Sequence, residues 1–337
     1  MAAIRNRVSP FRTRGIVARV IRHENAVLVC ILIGIIAVMA ISTKGASITP
    51  SNIRNVLLQS STRGIASVGQ GLVLLSANFD LTVGGLATMG ALLGATLLTD
   101  EKERSLFGSP IVPALGILMV LLATLFIGSV NGFSVSRLGM PPLIVTLAMW
   151  QITLGIAYQL GSGRSVAGLP KSIGFFGHGE IATVPVPVIL FLVVAGIGYF
   201  VLNYTTFGRN IYAVGGNPVS AYLSGIKVRN IIFMVFAISG LLTGLSSIII
   251  LSRGMAASML MALGFELDTI AACVIGGVSL FGGRGTLIGI VIGVLIIGFL
   301  TNGMNIIGVN PPMQEIVKGA VIIGGVAADT LRKRKVS

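Results

Sequence analysis

Apolar runs long enough to cross a bilayer follow one another along this chain, separated by short polar or glycine-rich intervals. A helix needs about 20 predominantly apolar residues to span the hydrocarbon core. On that measure the pattern predicts ten spans: 26–42, 56–76, a third from a turn at 78–85 to residue 98, then 111–133, 143–160, 185–202, 231–251, 267–280, 286–305 and 313–328. The second is the least clean, because it carries Gln59, Arg63 and Gln70. The polar stretch at 43–55 before it is expected at the outer surface, with Pro50-Ser51-Asn52 starting an interfacial helix. Glycines four apart, Gly90 with Gly94, Gly128 with Gly132, Gly240 with Gly244, and Gly285 with Gly289 and Gly293, read as places where helix backbones approach closely. Lipid-phase association favours such contacts because hydrophobic burial gives no preference between helices.

The polar interval at 204–228 is too long and too polar to lie in lipid, and its local chemistry predicts a short helix. Asn217 is a good N-cap, Pro218 stands where its missing N–H costs nothing, and Gly225 suits the left-handed position past the helix end. Val219, Tyr222, Leu223 and Ile226 fall at helical spacing and are expected to share one apolar face. Outside the membrane such a face suits a docking knob for another protein, or a loop helix folded back on its own chain.

Charge settles the orientation. Of the 337 residues only 10% are charged and 54% are hydrophobic, against about 25% charged in soluble domains, so the chain is an integral membrane protein. The formal charge of +14 does not point to nucleic acid, since the basic residues sit in loops and tails and the aromatic content is 6%. Arg5, Arg7, Arg12, Arg14, Arg19 and Arg22 crowd one end, and Arg332-Lys333-Arg334-Lys335 the other. With ten spans both ends share a side, and the positive-inside bias makes it the cytoplasm, together with 204–228. The expected fold is therefore an all-α membrane protein of about ten transmembrane helices with both termini cytoplasmic. It has a basic tail at 1–25, a single membrane domain at 26–331 and a basic tail at 332–337. No cleavable signal peptide is evident. Cys30 and Cys273 each lie in an apolar run and read as small core residues, with no disulfide.

Chemistry of the enzymatic kind is missing. There is no G-x-x-x-x-G-K-[ST] phosphate loop, no His-Glu-x-x-His, no cysteine cluster for a metal, and Gly283-Arg284-Gly285 reads as a tight turn between helices. Polar residues at membrane depth carry more information, because an ionised group there costs several kcal/mol, about 3, unless it is partnered or faces water. Gln70, Asn78, Asp80, Asn131 and Gln151 are the candidates for a pathway or gate. Each amide serves equally as an interhelical hydrogen bonder, and Asp80 as a cap for the third span. Glu266 and Asp268 precede the eighth span: Asp268 is expected to cap it and Glu266 to stand exposed at the outer surface, with contact to an outer partner as the alternative.

Several motifs together resemble one family. They are Asn78-Phe79-Asp80-Leu81-Thr82-Val83-Gly84, the stretch Thr206-Phe207-Gly208-Arg209-Asn210-Ile211-Tyr212-Ala213-Val214-Gly215-Gly216-Asn217-Pro218 with Ser224-Gly225-Ile226, and Glu266-Leu267-Asp268-Thr269 leading to Gly276-Gly277 and Gly282-Gly283-Arg284-Gly285. In this order and spacing, over about residues 50–330, they resemble the permease subunits of bacterial ABC sugar importers of the ribose, galactose and xylose type. Asn78-Phe79 departs from the glycine and isoleucine common before that aspartate. The resemblance implies a second permease copy or a paralogue, two cytoplasmic ATPase subunits that hold the ATP and Mg²⁺, and a periplasmic binding protein that delivers a monosaccharide. It also implies that 215–225, with Gly215, Gly216, Asn217, Pro218, Val219, Ser220, Tyr222, Leu223 and Gly225, is the coupling helix seated in a cleft of the ATPase. It places the chain in the bacterial inner membrane as a permease without cofactor of its own. A branched-chain amino acid or a nucleoside is an alternative cargo within that class. An autonomous secondary transporter or channel for a small polar solute is the alternative outside it, though it would want an ion-coupling acid in the bundle and Asp80 is the main one on offer.

Overall fold

The structure, a computed structural model, describes the backbone of residues 13–334 and the side chains of residues 25–327. Arg5, Arg7 and Arg12 of the first tail and Lys335 of the last lie outside the described residues. The chain runs through α1 (Thr13–Ser42), α2 (Pro50–Leu75), α3 (Val83–Leu98), α4 (Pro113–Ser136) and α5 (Pro142–Gly161). A polar segment follows, with the short α6 (Phe175–His178) and a small antiparallel ribbon of β1 (Glu180–Ile181) and β2 (Val184–Pro185). Then come α7 (Val186–Tyr204), α8 (Thr206–Gly216), α9 (Pro218–Leu223), α10 (Val228–Gly254), α11 (Phe265–Ile275), α12 (Leu287–Ile306) and α13 (Pro311–Arg334). Proline opens α2, α4, α5 and α9, where its fixed φ suits the first turn and no intrahelical N–H is lost.

Among the described residues six helices are long and apolar enough to cross a membrane: α1 from Asn25, α4, α5, α7, α10 and α12. The protein is a multi-pass membrane protein. α3 is apolar but shorter, and α11, with 11 residues, reaches about 16 Å, half of a hydrocarbon core. α2 is the instructive case. It is a single helix of 26 residues that opens at Pro50 as expected, so the interfacial helix and the second span are one continuous element. It is also buried almost throughout from Ser60 to Leu75, which is why it tolerates Ser60, Ser61, Ser67 and Gln70: they meet protein, not lipid. Leu118, Leu122 and Phe126 of α4, Ile144 and Leu147 of α5, and Leu192, Val193, Ile197 and Phe200 of α7 are exposed instead, as a lipid-facing wall requires. Cys30 is exposed on α1 and only Cys273 is a core residue; both are free.

Gly128, Gly132, Gly240, Gly289 and Gly293 do bring backbones together, whereas Gly90 and Gly94 receive the side chains of Ser247 and Leu251 instead. On α4 and α10, Gly128 and Gly240 face each other so closely that a Cβ on Gly128 would lie 2.9 Å from the Gly240 Cα. On α12, Gly289 and Gly293 lie against the carbonyls of Gly276 and Ala272 at the end of α11. Gly285 stands apart from them in a turn, at φ +135°.

Two helices end in the same way 200 positions apart. At the end of α2, Ala77 N–H donates to Leu74 O at 2.9 Å and Asn78 N–H to Val73 O at 3.1 Å. At the end of α11, Gly277 N–H donates to Val274 O and Val278 N–H to Cys273 O, both at 2.9 Å. Each is a Schellman stop with a left-handed residue, Ala77 at φ +61° and Gly277 at φ +82°. α2 and α11 lie side by side, joined where the Cys273 thiol donates to Ser67 O at 3.3 Å.

Candidate coupling site and buried polar junctions

α9 has both ends closed by its own residues. The Asn217 Oδ1 accepts from the N–H groups of Val219 and Ser220, each at 3.0 Å. At the other end Gly225 N–H donates to Tyr222 O at 2.9 Å and Ile226 N–H to Ala221 O at 3.1 Å, with Gly225 at φ +83°. A helix of 6 residues has little intrinsic stability, so these caps hold its shape. Val219, Tyr222 and Leu223 are 67%, 70% and 79% exposed, while Ala221 is its buried foothold. Ile226 does not join them: it packs against the core cluster around Val214 and Val235, beyond the turn that Gly225 makes. The exposed apolar face is therefore three side chains, not the four expected.

This prong stands on a base that the sequence reading overlooked. α8 is a separate amphipathic helix, capped by Thr205, whose hydroxyl accepts from Gly208 N–H at 3.2 Å. Its Ile211, Val214 and Gly215 are buried. Thr205 followed by Phe207, Ile211 and Val214 at helical spacing was the available signal. Gly215 packs directly on the Leu75 carbonyl and the Gly283 amide, and a Cβ on Gly283 would sit 2.8 Å from the Gly216 Cα. Tyr212 donates its hydroxyl to Gly285 O at 2.9 Å; burial pushes its phenol above the usual range, so it stays a donor. Beside the prong, Arg137, Lys227 and Arg229 line a groove of about 800 Å³ with Val219 and Tyr222.

The second junction forms where α2 gives way to α3. Asp80 is enclosed; its Oδ1 accepts from Thr82 N–H and its Oδ2 from the Ser239 hydroxyl of α10, both at 2.9 Å. Asn131 of α4 donates its amide to the Thr82 Oγ1 at 2.7 Å, and Thr82 in turn donates to Thr146 O of α5 at 3.3 Å. Asp80 thus acts by an Asx-turn ahead of α3 and by a bond across to α10, whereas Thr82, at the N-cap itself, makes no side-chain cap. Asn78 folds back on Ser76, donating to its carbonyl at 2.9 Å. Gln70 is fully buried and neither amide atom meets a hydrogen-bond partner among the described protein groups; Asn131 keeps one such oxygen. Gln151 lies elsewhere, exposed on α5.

The third junction corrects the reading of 266 and 268. Asp268 is buried and does not cap α11; its Oδ1 meets Lys318 Nζ of α13 at 2.8 Å and its Oδ2 meets Arg63 Nε of α2 at 3.1 Å. Lys318 also reaches Glu315 at 2.6 Å. Glu266 is half-buried against Gly84, with one carboxylate oxygen enclosed and unpartnered. In this chain neither carboxylate stands free at an outer surface. Two cations shared by one carboxylate are what make all three tolerable inside a bundle.

Residues 52–326 match the family described as branched-chain amino acid transport system / permease component. The chain belongs to this permease family. Among curated relatives, it is 36% identical over 282 residues to the ribose import permease protein of Bacillus subtilis, covering 83% of this chain and 85% of that one. It is 36% identical over 304 residues to the D-allose transport system permease protein of Escherichia coli, covering 89% and 90%. To the galactose/methyl galactoside import permease protein of Escherichia coli it is 36% identical over 291 residues, covering 83% and 87%. No solved structure matches the chain.

These matches bear out the resemblance carried by the motifs, and they identify a permease subunit and not an enzyme. Among the described residues of the permease no group of three or more His, Cys, Asp or Glu is placed to hold a metal. What sequence reasoning missed is Arg63 and Lys318. Each is a single cation inside a predicted span, and a lone aspartate in a third span was the signal that they have a shared partner.

Proposed function

We propose that this permease is the membrane half of an ATP-driven importer that takes a monosaccharide, a pentose or hexose, from a periplasmic binding protein across the bacterial inner membrane. The observation that carries the reading is α9: a helix capped at both ends that holds Val219, Tyr222 and Leu223 out in water, where burying them in a partner's cleft is favourable. In this reading the ten expected spans hold the chain in the membrane, the eighth completed by the segment that precedes the half-length α11, the termini and the 204–228 prong face the cytoplasm, and 26–331 is one membrane domain between basic tails. Two ATPase subunits bind ATP and Mg²⁺ and grip Gly216, Asn217, Pro218, Val219, Ser220, Tyr222, Leu223 and Gly225, whereas Gly215, expected among them, is buried on Leu75 and Gly283 and serves as the footing of the prong. The basic groove beside the prong favours an acidic rim on the ATPase cleft. A second permease copy or paralogue covers the α5 face that exposes Gln151, since an amide turned to lipid is costly. Sugar as cargo is supported by the names of the relatives.

The test replaces Val219 and Leu223 with Asp and measures co-purification of the ATPase subunits from membranes. The variant is expected to insert normally and to lose them. Retained co-purification, labelling of Ser220 from the outside of intact cells, or uptake of labelled D-ribose, D-allose or D-galactose driven by an ion gradient without ATPase would each sink the reading, the last in favour of a secondary transporter.

A further inference from the structure

Two of the junctions above are opposite ends of one frame. Its long sides are α2 and α11, which run alongside each other. At one end Gly283 N–H donates to Leu75 O at 2.9 Å, and both residues pack on Gly215 and Gly216 at the base of the prong. At the other end Arg63 and Asp268 are ion-paired at 3.1 Å. From Arg63 to Leu75 is about 18 Å of continuous helix. The Schellman stops that close α2 and α11 are alike, and the glycines of α12 press against the end of α11, so neither side has slack near the prong.

The far end also has an exit. Lys318 of α13 shares the Asp268 carboxylate at 2.8 Å, and α13 lies against α11 again where Gly325 meets Val274. α11 begins inside the protein: Phe265 and the preceding Ala262 lie in one cluster with Ala66, Val83 and Ala87. A half-length helix that starts in the interior has no membrane surface to hold its outer end. Asp268 supplies that hold, with both oxygens engaged.

We infer that Asp268 is a positioning residue for transport. It locks α2 and α11 into one lever, so that a displacement of the prong by the ATPase reaches the interior end of α11 and passes through Lys318 to α13. The inference rests on the ATP-driven reading. Without the lock, force applied at the prong is absorbed by sliding of α11 along α2, and ATP is spent without movement of sugar.

The experiment reconstitutes the permease with its ATPase subunits and binding protein in liposomes, and reads ATP hydrolysed and labelled D-ribose, D-allose or D-galactose taken up in the same vesicles. Asp268→Asn is expected to leave ATPase co-purification and hydrolysis near the parental level while sugar moved per ATP falls about tenfold. Asp268→Glu, which keeps the charge, retains most of the ratio, and Lys318→Met lowers it by a smaller factor. An unchanged ratio in Asp268→Asn overturns the inference. Where that variant does not accumulate, an unchanged ratio in Lys318→Met overturns it. Failure of both to accumulate makes the junction a folding element and also overturns it. If the unaltered complex takes up none of the sugars with ATP, the proposed function fails first and the inference with it.

Discussion

The main-chain amide of Gly283 donates to the carbonyl of Leu75 across 2.9 Å, joining the loop after α11 to the end of α2 beneath the prong. The bond exists because Gly283 adopts φ +70°, and because no side chain keeps its backbone from that of Gly216. Gly283→Ala adds a Cβ 2.8 Å from the Gly216 Cα and in a left-handed conformation. A loss of about 1–3 kcal/mol is expected. It is checked by a lower thermal-unfolding midpoint in detergent, together with weaker ATPase binding.

Asn217→Ala should separate the prong's shape from the stability of the bundle. It removes the acceptor for two N–H groups at the start of α9, a cost of about 1 kcal/mol confined to a mostly exposed helix. The permease midpoint stays put, and affinity for the ATPase falls about fivefold in a titration against permease in nanodiscs. Asn217→Ser, which keeps a capping oxygen, recovers most of it.

Asp80→Asn replaces one accepting oxygen by a donor, so the contact with Ser239 has to reverse, the hydroxyl accepting and its own proton left to find another acceptor in the interior, and both bonds lose the carboxylate charge. Destabilisation of about 1–3 kcal/mol is expected. Ser239→Ala costs less, and the double variant costs less than the sum, because the two share one bond. Denaturation of the four proteins in the same detergent measures the coupling, and strict additivity would show that the bond contributes nothing.

Gln70→Leu removes an enclosed amide that has no hydrogen-bond partner among the described residues, from a helix that is otherwise well packed. If Gln70 serves the pathway, the variant unfolds at a temperature no lower than the parent and takes up sugar more slowly. Reduced stability with unchanged uptake would assign it a packing role instead.

The legible part of the site is the part whose chemistry is local. Asn217, Pro218 and Gly225 marked both ends of α9 because caps are made within a few residues of where they act. The glycine pairs were legible for a similar reason: a missing side chain has the same consequence whichever helix arrives. α8 went unseen beside its neighbour, and Ile226 was placed on the wrong side of the Gly225 turn, because periodicity does not register a reversal of the chain.

Hydropathy and charge by themselves determined that this chain lies in a membrane, where most of its helices run and that a capped prong interrupts them, since each depends on side chains against solvent or lipid. Only the tertiary structure decided that α2 is sheathed by protein, that α11 stops at half a bilayer, and that Arg63, Asp268 and Lys318 meet. Those facts join positions as far as 255 residues apart, from 63 to 318, and no local rule states which buried charge will find which partner.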